Sequence, residues 1–387
     1  MIKVLHLITG LSVGGAETML FKLLSQIDRN GFEPEVLSLT DIGPIGKRIQ
    51  GLGVPVDALR MPPGRPSPIT LLRFARRLRH RPPDIIQTWM YHADLVGAVG
   101  ATLAGGIPTV WNIRHTNISP QANKRTHIWT ARVCALMSHR LPKRIICNSE
   151  TSRQEHIKLG YAAGKMQVIP NGFDLATFKP DAAARRSVCQ ELQISEQSLL
   201  IGLVARFDRQ KDHHTFVQAA ERLKSLHHVR FLLCGDGISG QNEKLVQWIN
   251  RAGIQDRCHL LGRRDDIPRL TAALDIATSS SVGEAFSNAI GEAMACAVPC
   301  AVTDVGDSAW IVGDTGRVVR PADAEALAKS WLDLIEIGEK RRREFGLAAR
   351  RRVEENFNLP NIVRRYENLY EEIAGDRCAD LQGSLTR

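Results

Sequence analysis

A chain of 387 residues that is 43% hydrophobic and 24% charged is too long for one ordinary core and implies two soluble globular domains. Its eight cysteines form no CxxC pair and no Cys/His set with metal-ligand spacing. That excludes a disulfide scaffold and a zinc module, and it points to buried thiols in a reducing, cytoplasmic setting.

The net charge of +10 is one-sided: residues 1–175 hold 22 Lys and Arg against 11 Asp and Glu, and the remainder holds 29 against 30. No acidic residue falls between Asp94 and Glu150. A basic half beside a neutral one implies that the first half meets an anionic membrane surface or lipid phosphate. No nucleic-acid-binding motif accompanies the charge, so nucleic acid is not an expected partner. The opening MIKVLHLITG reads as a strand rather than a signal peptide, and no apolar run reaches the length of a membrane span.

Short apolar runs then alternate with helical patterns. IKVLHLI, EPEVLSL, DIIQTW, TVWNI, RIICNS and MQVIP are strand candidates in the first half. LLIGLVA, VRFLLCG, CHLLG, LDIATS, PCAVTD and GRVVR follow in the second, where the pattern restarts near Leu199. Nearly continuous apolar strands with helices between them predict parallel sheets covered on both faces. Two doubly wound α/β domains in tandem, with ligand at the carboxyl ends of the strands in the interdomain cleft, are the simplest account.

The first strand runs into GLSVGGAETML, where Gly14 and Gly15 allow a ligand to approach the backbone before a helix expected from Ala16. The segment LLRFARRLRHR (71–81) alternates apolar positions with arginines, as does 124–144, and an interfacial role competes with an ordinary surface helix or core. TWMYHAD (88–94) and WNIRHTN (111–117) each follow a strand. Trp89, Tyr91, His92, Arg114 and His115 are therefore expected where the cleft lies. In the second half, Arg206 and Lys211 follow a strand, where two cations hold a diphosphate leaving group without a metal. Gly235, in CGDG (234–237), ends a strand at a turn suited to close ligand approach, and DVGDSA (304–309) ends another.

Ser279 to Asp304 reads as strand end, loop, helix and strand. Ser287 is the expected N-cap of a helix over Asn288 to Cys296. Free N–H groups at such a start attract phosphate. Glu284 and Glu292, eight residues apart, would then address hydroxyl groups, an arrangement that suits a sugar nucleotide.

Together these stretches resemble the retaining glycosyltransferases of family four, which have the GT-B fold. The resemblance rests on VGGAE, CNSE (147–150), VIPNGFD (168–174), VARFDRQKD (204–212), CGDG, 261–281, GEAFSNAIGEAMA and VPCAVTDVGDSAWIVGDTG. Glu284 and Glu292 match the family's E-x7-E motif. The resemblance implies a first domain (1–175) that binds the acceptor and a second (176–358) that binds a nucleotide sugar. It also implies a C-terminal segment (359–387) whose helix returns towards the first domain.

Arg206 and Lys211 would hold the diphosphate, Glu284 the donor sugar's hydroxyls and Glu292 the ribose. The backbone of Ala285, Phe286 and Ser287 would lie near sugar and phosphate, with Gly14 and Gly15 bordering the diphosphate. The implied activity is retaining, metal-independent transfer, with no cofactor, from a UDP- or GDP-linked sugar to a glycan or polyprenyl-lipid-linked acceptor. That activity belongs to bacterial surface polysaccharide or lipopolysaccharide assembly, on a cytoplasmic or peripheral inner-membrane protein. A nucleotide-sugar epimerase and a non-catalytic peripheral membrane protein are the alternatives. Ala285 and Ser287 replace the family's usual glycines, Ala297 stands at another common glycine, and both His115 and Arg114 are candidates for the acceptor-domain catalytic position.

Overall fold

The computed structural model describes residues 1–62, 68–116 and 125–385, with side chains as far as Asp376. Asn117, Lys124 and the side chain of Cys378 lie outside the described residues. The chain divides into two compact units, one of Met1–Gly172 with Leu359–Arg387 and one of Phe173–Asn358.

Unit 1 runs β1 (Ile2–Ile8), α1 (Gly15–Gln26), β2 (Phe32–Ser38), α2 (Gly43–Gln50), β3 (Val56–Ala58), α3 (Pro68–His80) and β4 (Ile85–Trp89). It continues with α4 (Tyr91–Leu103), β5 (Thr109–Ile113), α5 (Arg125–Ser138), β6 (Arg144–Cys147), α6 (Glu150–Lys158) and β7 (Met166–Val168). The strands form one sheet in the order β3-β2-β1-β4-β5-β6-β7, and every pairing is parallel. β4 and β5 are buried at every position, which is why both read as unbroken apolar runs in the sequence.

Unit 2 runs α7 (Ala182–Glu191), β8 (Leu199–Val204), α8 (His213–Arg222), β9 (Val229–Cys234), α9 (Glu243–Ala252), β10 (Cys258–Leu260), α10 (Ile267–Ala272) and β11 (Ile276–Ser279). Then follow α11 (Asn288–Ala295), β12 (Cys300–Thr303), α12 (Ser308–Val312), β13 (Gly316–Val319), α13 (Ala324–Glu336) and α14 (Gly338–Asn356). Its parallel sheet has the order β10-β9-β8-β11-β12-β13. In each sheet the order reverses beside the first strand, between β1 and β4 and between β8 and β11. The carboxyl ends there form the crevice in which doubly wound folds hold ligands.

The last helix, α15 (Leu359–Leu385), belongs to unit 1. Leu359, Ile362, Val363, Tyr366, Leu369, Tyr370 and Ile373 recur at helical spacing and are all buried in one core with α1, α2 and the β4–β6 strands. The opposite face of that sheet is covered by α3, α4 and α5. Where unit 2 begins and ends, the Phe173 N–H donates to the Phe357 carbonyl at 2.8 Å. The unit thus enters and leaves through adjoining segments, joined by an isolated bridge between Phe173 and Asn358. The expected domain boundary at residue 175 lies three residues past the observed division.

Candidate active site

In unit 2 the loop after β8 carries Arg206 and Lys211, and the loop after β11 carries Glu284. Lys211 forms an ion pair with Glu284, whose Oε1 also accepts from Ser281 Oγ at 2.9 Å. The two loops are laced by backbone and hydroxyl contacts. Val282 N–H donates to the Gln210 carbonyl at 2.8 Å, and Ser280 Oγ donates to the Lys211 carbonyl at 2.9 Å. Asp208 organises the turn between, accepting from Gln210 N–H at 2.9 Å and lying 3.4 Å from Arg206 Nε. The side chains of Lys211 and Glu284 are 25% and 12% exposed, whereas Arg206 is 63% exposed. The result is a sheltered cation–carboxylate pair beside a second, reachable cation.

Two glycines make this corner possible. Gly235 has φ +151°, and a Cβ there would fall 2.2 Å from the Ala205 carbonyl oxygen, so the turn after β9 presses against the loop that starts towards Arg206. Gly306 has φ +56°, and its Cβ would lie 2.4 Å from the Glu284 carbonyl oxygen. DVGDSA thus buttresses the Glu284–Ala285 backbone, and Asp307 N–H donates to the Ala285 carbonyl at 3.2 Å.

The helix begins at Asn288 as expected, but Ser287 occupies the cap position without a side-chain capping bond. Its side chain is buried instead. Phe286 also turns inward, stacked 6.1 Å from Phe173 and edge-on to Phe357 at 5.8 Å. What this stretch presents is therefore backbone N–H from the start of α11, not the Phe286 or Ser287 side chain. Glu292 is half-buried on the fifth residue of that helix.

In unit 1, α1 starts at Gly15, one residue before the expected Ala16, with Gly14 extended at the cap. Glu17 folds back over this end: a Cβ on Gly14 would lie 2.4 Å from Glu17 Oε2. Burial raises the Glu17 carboxyl above its ordinary range, against its own backbone hydrogen bond and the Arg114 charge.

The expectation that Trp89 and Tyr91 line a cleft fails, because both are fully buried. Trp89 stacks on Tyr366 at 6.5 Å, and the Tyr91 hydroxyl is 2.5 Å from His156 Nε2. A strand end locates a residue along the chain but does not say which way its side chain turns. Arg114 also points into the unit, over the Trp89 ring at 5.3 Å and hydrogen-bonded to Asn112 Oδ1, Asn171 Oδ1 and the Tyr366 hydroxyl. His115 instead joins a group of imidazoles. The His127 ring is 5.5 Å from His115 and 6.0 Å from His92, to which it is nearly parallel at 4°.

Burial lowers His92 and takes His127 down to about 4, so both are neutral near pH 7. His127, 12 residues beyond His115, carried no motif that would have marked it. The backbone of His115 is fixed from α6, where Ser152 Oγ donates to its carbonyl at 2.8 Å.

Residues 13–177 match the family described as Glycosyltransferase Family 4, and residues 198–336 match Glycosyl transferases group 1. The chain belongs to the group 1, family four glycosyltransferases. An N-acetyl-alpha-D-glucosaminyl L-malate synthase of Bacillus anthracis is 31% identical over 189 residues. That match covers 48% of this chain and 49% of the synthase, about half of each. An Escherichia coli UDP-Gal:alpha-D-GlcNAc-diphosphoundecaprenol alpha-1,3-galactosyltransferase is 24% identical over 309 residues, 78% of each chain. Among solved structures, Anabaena HepE in complex with UDP superposes with a TM-score of 0.85 at 25% identity, covering 96% of this chain and all of that one.

In this glycosyltransferase Glu284, Glu292, Arg206 and Lys211 all lie in unit 2. Among its described residues, no group of three or more His, Cys, Asp or Glu is arranged to hold a metal ion.

Proposed function

We propose that this protein transfers a sugar from a nucleoside diphosphate donor, UDP in the first instance, to a lipid-linked or glycan acceptor with retention of anomeric configuration. The observation that carries the reading is the Lys211–Glu284 pair, held by Ser281 beside the exposed Arg206. Negative charge develops on the diphosphate as the anomeric C–O bond breaks. Lys211 and Arg206 supply fixed positive charge for it, and the first N–H groups of α11 add partial charge of the same sign.

Glu284, already accepting hydrogen bonds, takes those of the donor sugar's hydroxyls, and Glu292 those of the ribose. The acceptor hydroxyl attacks from the face that the diphosphate leaves, and its proton passes to a departing phosphate oxygen. Positioning and leaving-group stabilisation, rather than a protein nucleophile, then carry the rate. Two cations at the leaving group make a divalent ion dispensable.

Support for UDP comes from HepE, described in complex with UDP, and support for a lipid-linked acceptor from the diphosphoundecaprenol galactosyltransferase. His115, with His92 and His127 beside it, is the acceptor-side group of unit 1. That unit's basic surplus supports contact with an anionic membrane, at the cytoplasmic face. No described helix is long and apolar enough to cross one.

A panel of UDP- and GDP-sugars, assayed for nucleoside diphosphate release with and without polyprenyl-diphosphate-linked glycan, tests the reading. Release should need the acceptor, survive EDTA, and fall by about 10²–10³-fold in Lys211→Ala. Wild-type rates in Lys211→Ala together with Glu284→Ala would remove the site assignment. A new sugar nucleotide formed from the donor alone would identify an epimerase instead.

A further inference from the structure

We propose that the outer surface of the α3–α4–α5 layer is the face by which unit 1 lies on an anionic phospholipid bilayer. This places on named helices the membrane contact read above from net charge, and it rests on that reading. α4 is the middle helix of the layer, packed against α3 through Phe74, Ala93, Val96 and Ala101 and against α5 through Ala98, Ala131, Cys134 and Ala135. With those faces inside, the outward stripes are set by helical spacing.

On α5 that stripe is Arg125, Trp129, Arg132 and Leu136, at positions i, i+4, i+7 and i+11. Trp129 is 63% exposed and Leu136 is 79% exposed. On α3 the stripe is Ile69, Leu72, Arg73 and Arg76, with Ile69 and Leu72 each 63% exposed. An ordinary solvated helix face would carry carboxylates among its cations. These three helices have a single acidic side chain, Asp94, and it is buried.

The arginines of α3 divide by role. Arg77 pairs with Glu35 and Asp57, and Arg79 donates to the Leu103 carbonyl, so both serve the fold. Arg73, Arg125 and Arg132 have no carboxylate partner among the described residues.

Cations beside exposed Trp, Leu and Ile suit the boundary between headgroups and acyl chains, where the indole sits at the interface and guanidinium groups meet lipid phosphate. A second copy of the chain fits less well, because a two-fold contact on this face would set arginines against arginines. Polyanions without an apolar phase leave the exposed indole and aliphatic side chains unexplained.

The test is sedimentation of the full-length protein with phosphatidylcholine vesicles, with and without phosphatidylglycerol, at rising salt. Binding should need the anionic lipid and weaken with salt. Arg125→Gln with Arg132→Gln should reduce it about 25-fold, roughly fivefold per guanidinium. Trp129→Ala with Leu136→Ala should reduce it at least tenfold, roughly, at unchanged net charge. Lys47→Gln with Arg48→Gln, the same charge loss on α2 across the sheet, should leave most of the binding intact.

Three results overturn the proposal. One is wild-type vesicle binding in the Trp129/Leu136 variant. Another is equal loss in the α2 variant, which would mean diffuse charge. The third is a wild-type dimer, without vesicle binding, that the Trp129/Leu136 variant abolishes. Nucleotide release on a water-soluble acceptor should persist in every variant. Its absence from the wild type would fail the catalytic reading while leaving the docking face standing.

Discussion

Ala297 shows how one residue's conformation carries both a cost and a test. It follows α11 and has φ +58°, the left-handed region that glycine enters without penalty. The turn is a helix stop, in which Ala297 N–H donates to the Met294 carbonyl at 2.9 Å and Val298 N–H to Ala293 at 3.0 Å. Ala297→Gly relieves the Cβ strain without touching either bond. It should stabilise the protein by about 0.5–1 kcal/mol, read as a higher urea midpoint, with activity unchanged. An unchanged or lower midpoint would mean that the turn tolerates alanine freely. The departure at Ala297 was visible in the sequence, against the glycine common at that position in the family it resembles. The inward turn of Phe286 and Trp89 was not, because it depends on Phe173, Phe357 and Tyr366, which lie far away in the chain. The Lys211–Glu284 contact likewise joins residues that only the β8–β11 pairing brings together.

At the scale of elements, strands buried on both faces announce themselves, and all those expected from apolar runs are present. β3 escaped notice because three residues, two of them half-buried, are too short to show a period. α15 was legible as a helix, yet its value lies in the stripe it buries against α1 and β4. Ile362→Ala and Leu369→Ala should each destabilise the protein by about 2–5 kcal/mol, through lost burial and the cavity left behind. Glu371→Ala, on the exposed side of the same helix, should stay within about 0.5 kcal/mol of wild type. Urea unfolding monitored by circular dichroism separates these cases. Equal, small effects at all three positions would show that α15 is not part of the core of unit 1.

For the molecule as a whole, buried titrating groups oppose one another as pH changes. Burial takes His6 down to about 3 and His127, His156 and His213 down to about 4. Between about pH 6.5 and 4 the unfolded chain binds protons that the folded one refuses, so these histidines make stability fall as pH falls. Asp94 works the other way. Burial raises it to about 7 despite the hydrogen bond from Thr88 Oγ1 at 2.5 Å. Its folded-state pKa lies above the unfolded one, so the neutral acid is favourable below about pH 4, and that advantage is lost as pH rises through about 7. Asp94→Asn keeps an acceptor for Thr88 and removes the titration. The variant should match wild type near pH 4 and gain steadily to pH 7, by on the order of a few kcal/mol, with no further gain above. Urea midpoints at pH 4.5, 6, 7 and 8 measure the difference. A gap that does not change with pH would show that the Asp94 carboxyl is not held neutral in unit 1. The histidines would then act without opposition from Asp94 between about pH 4 and 6.5.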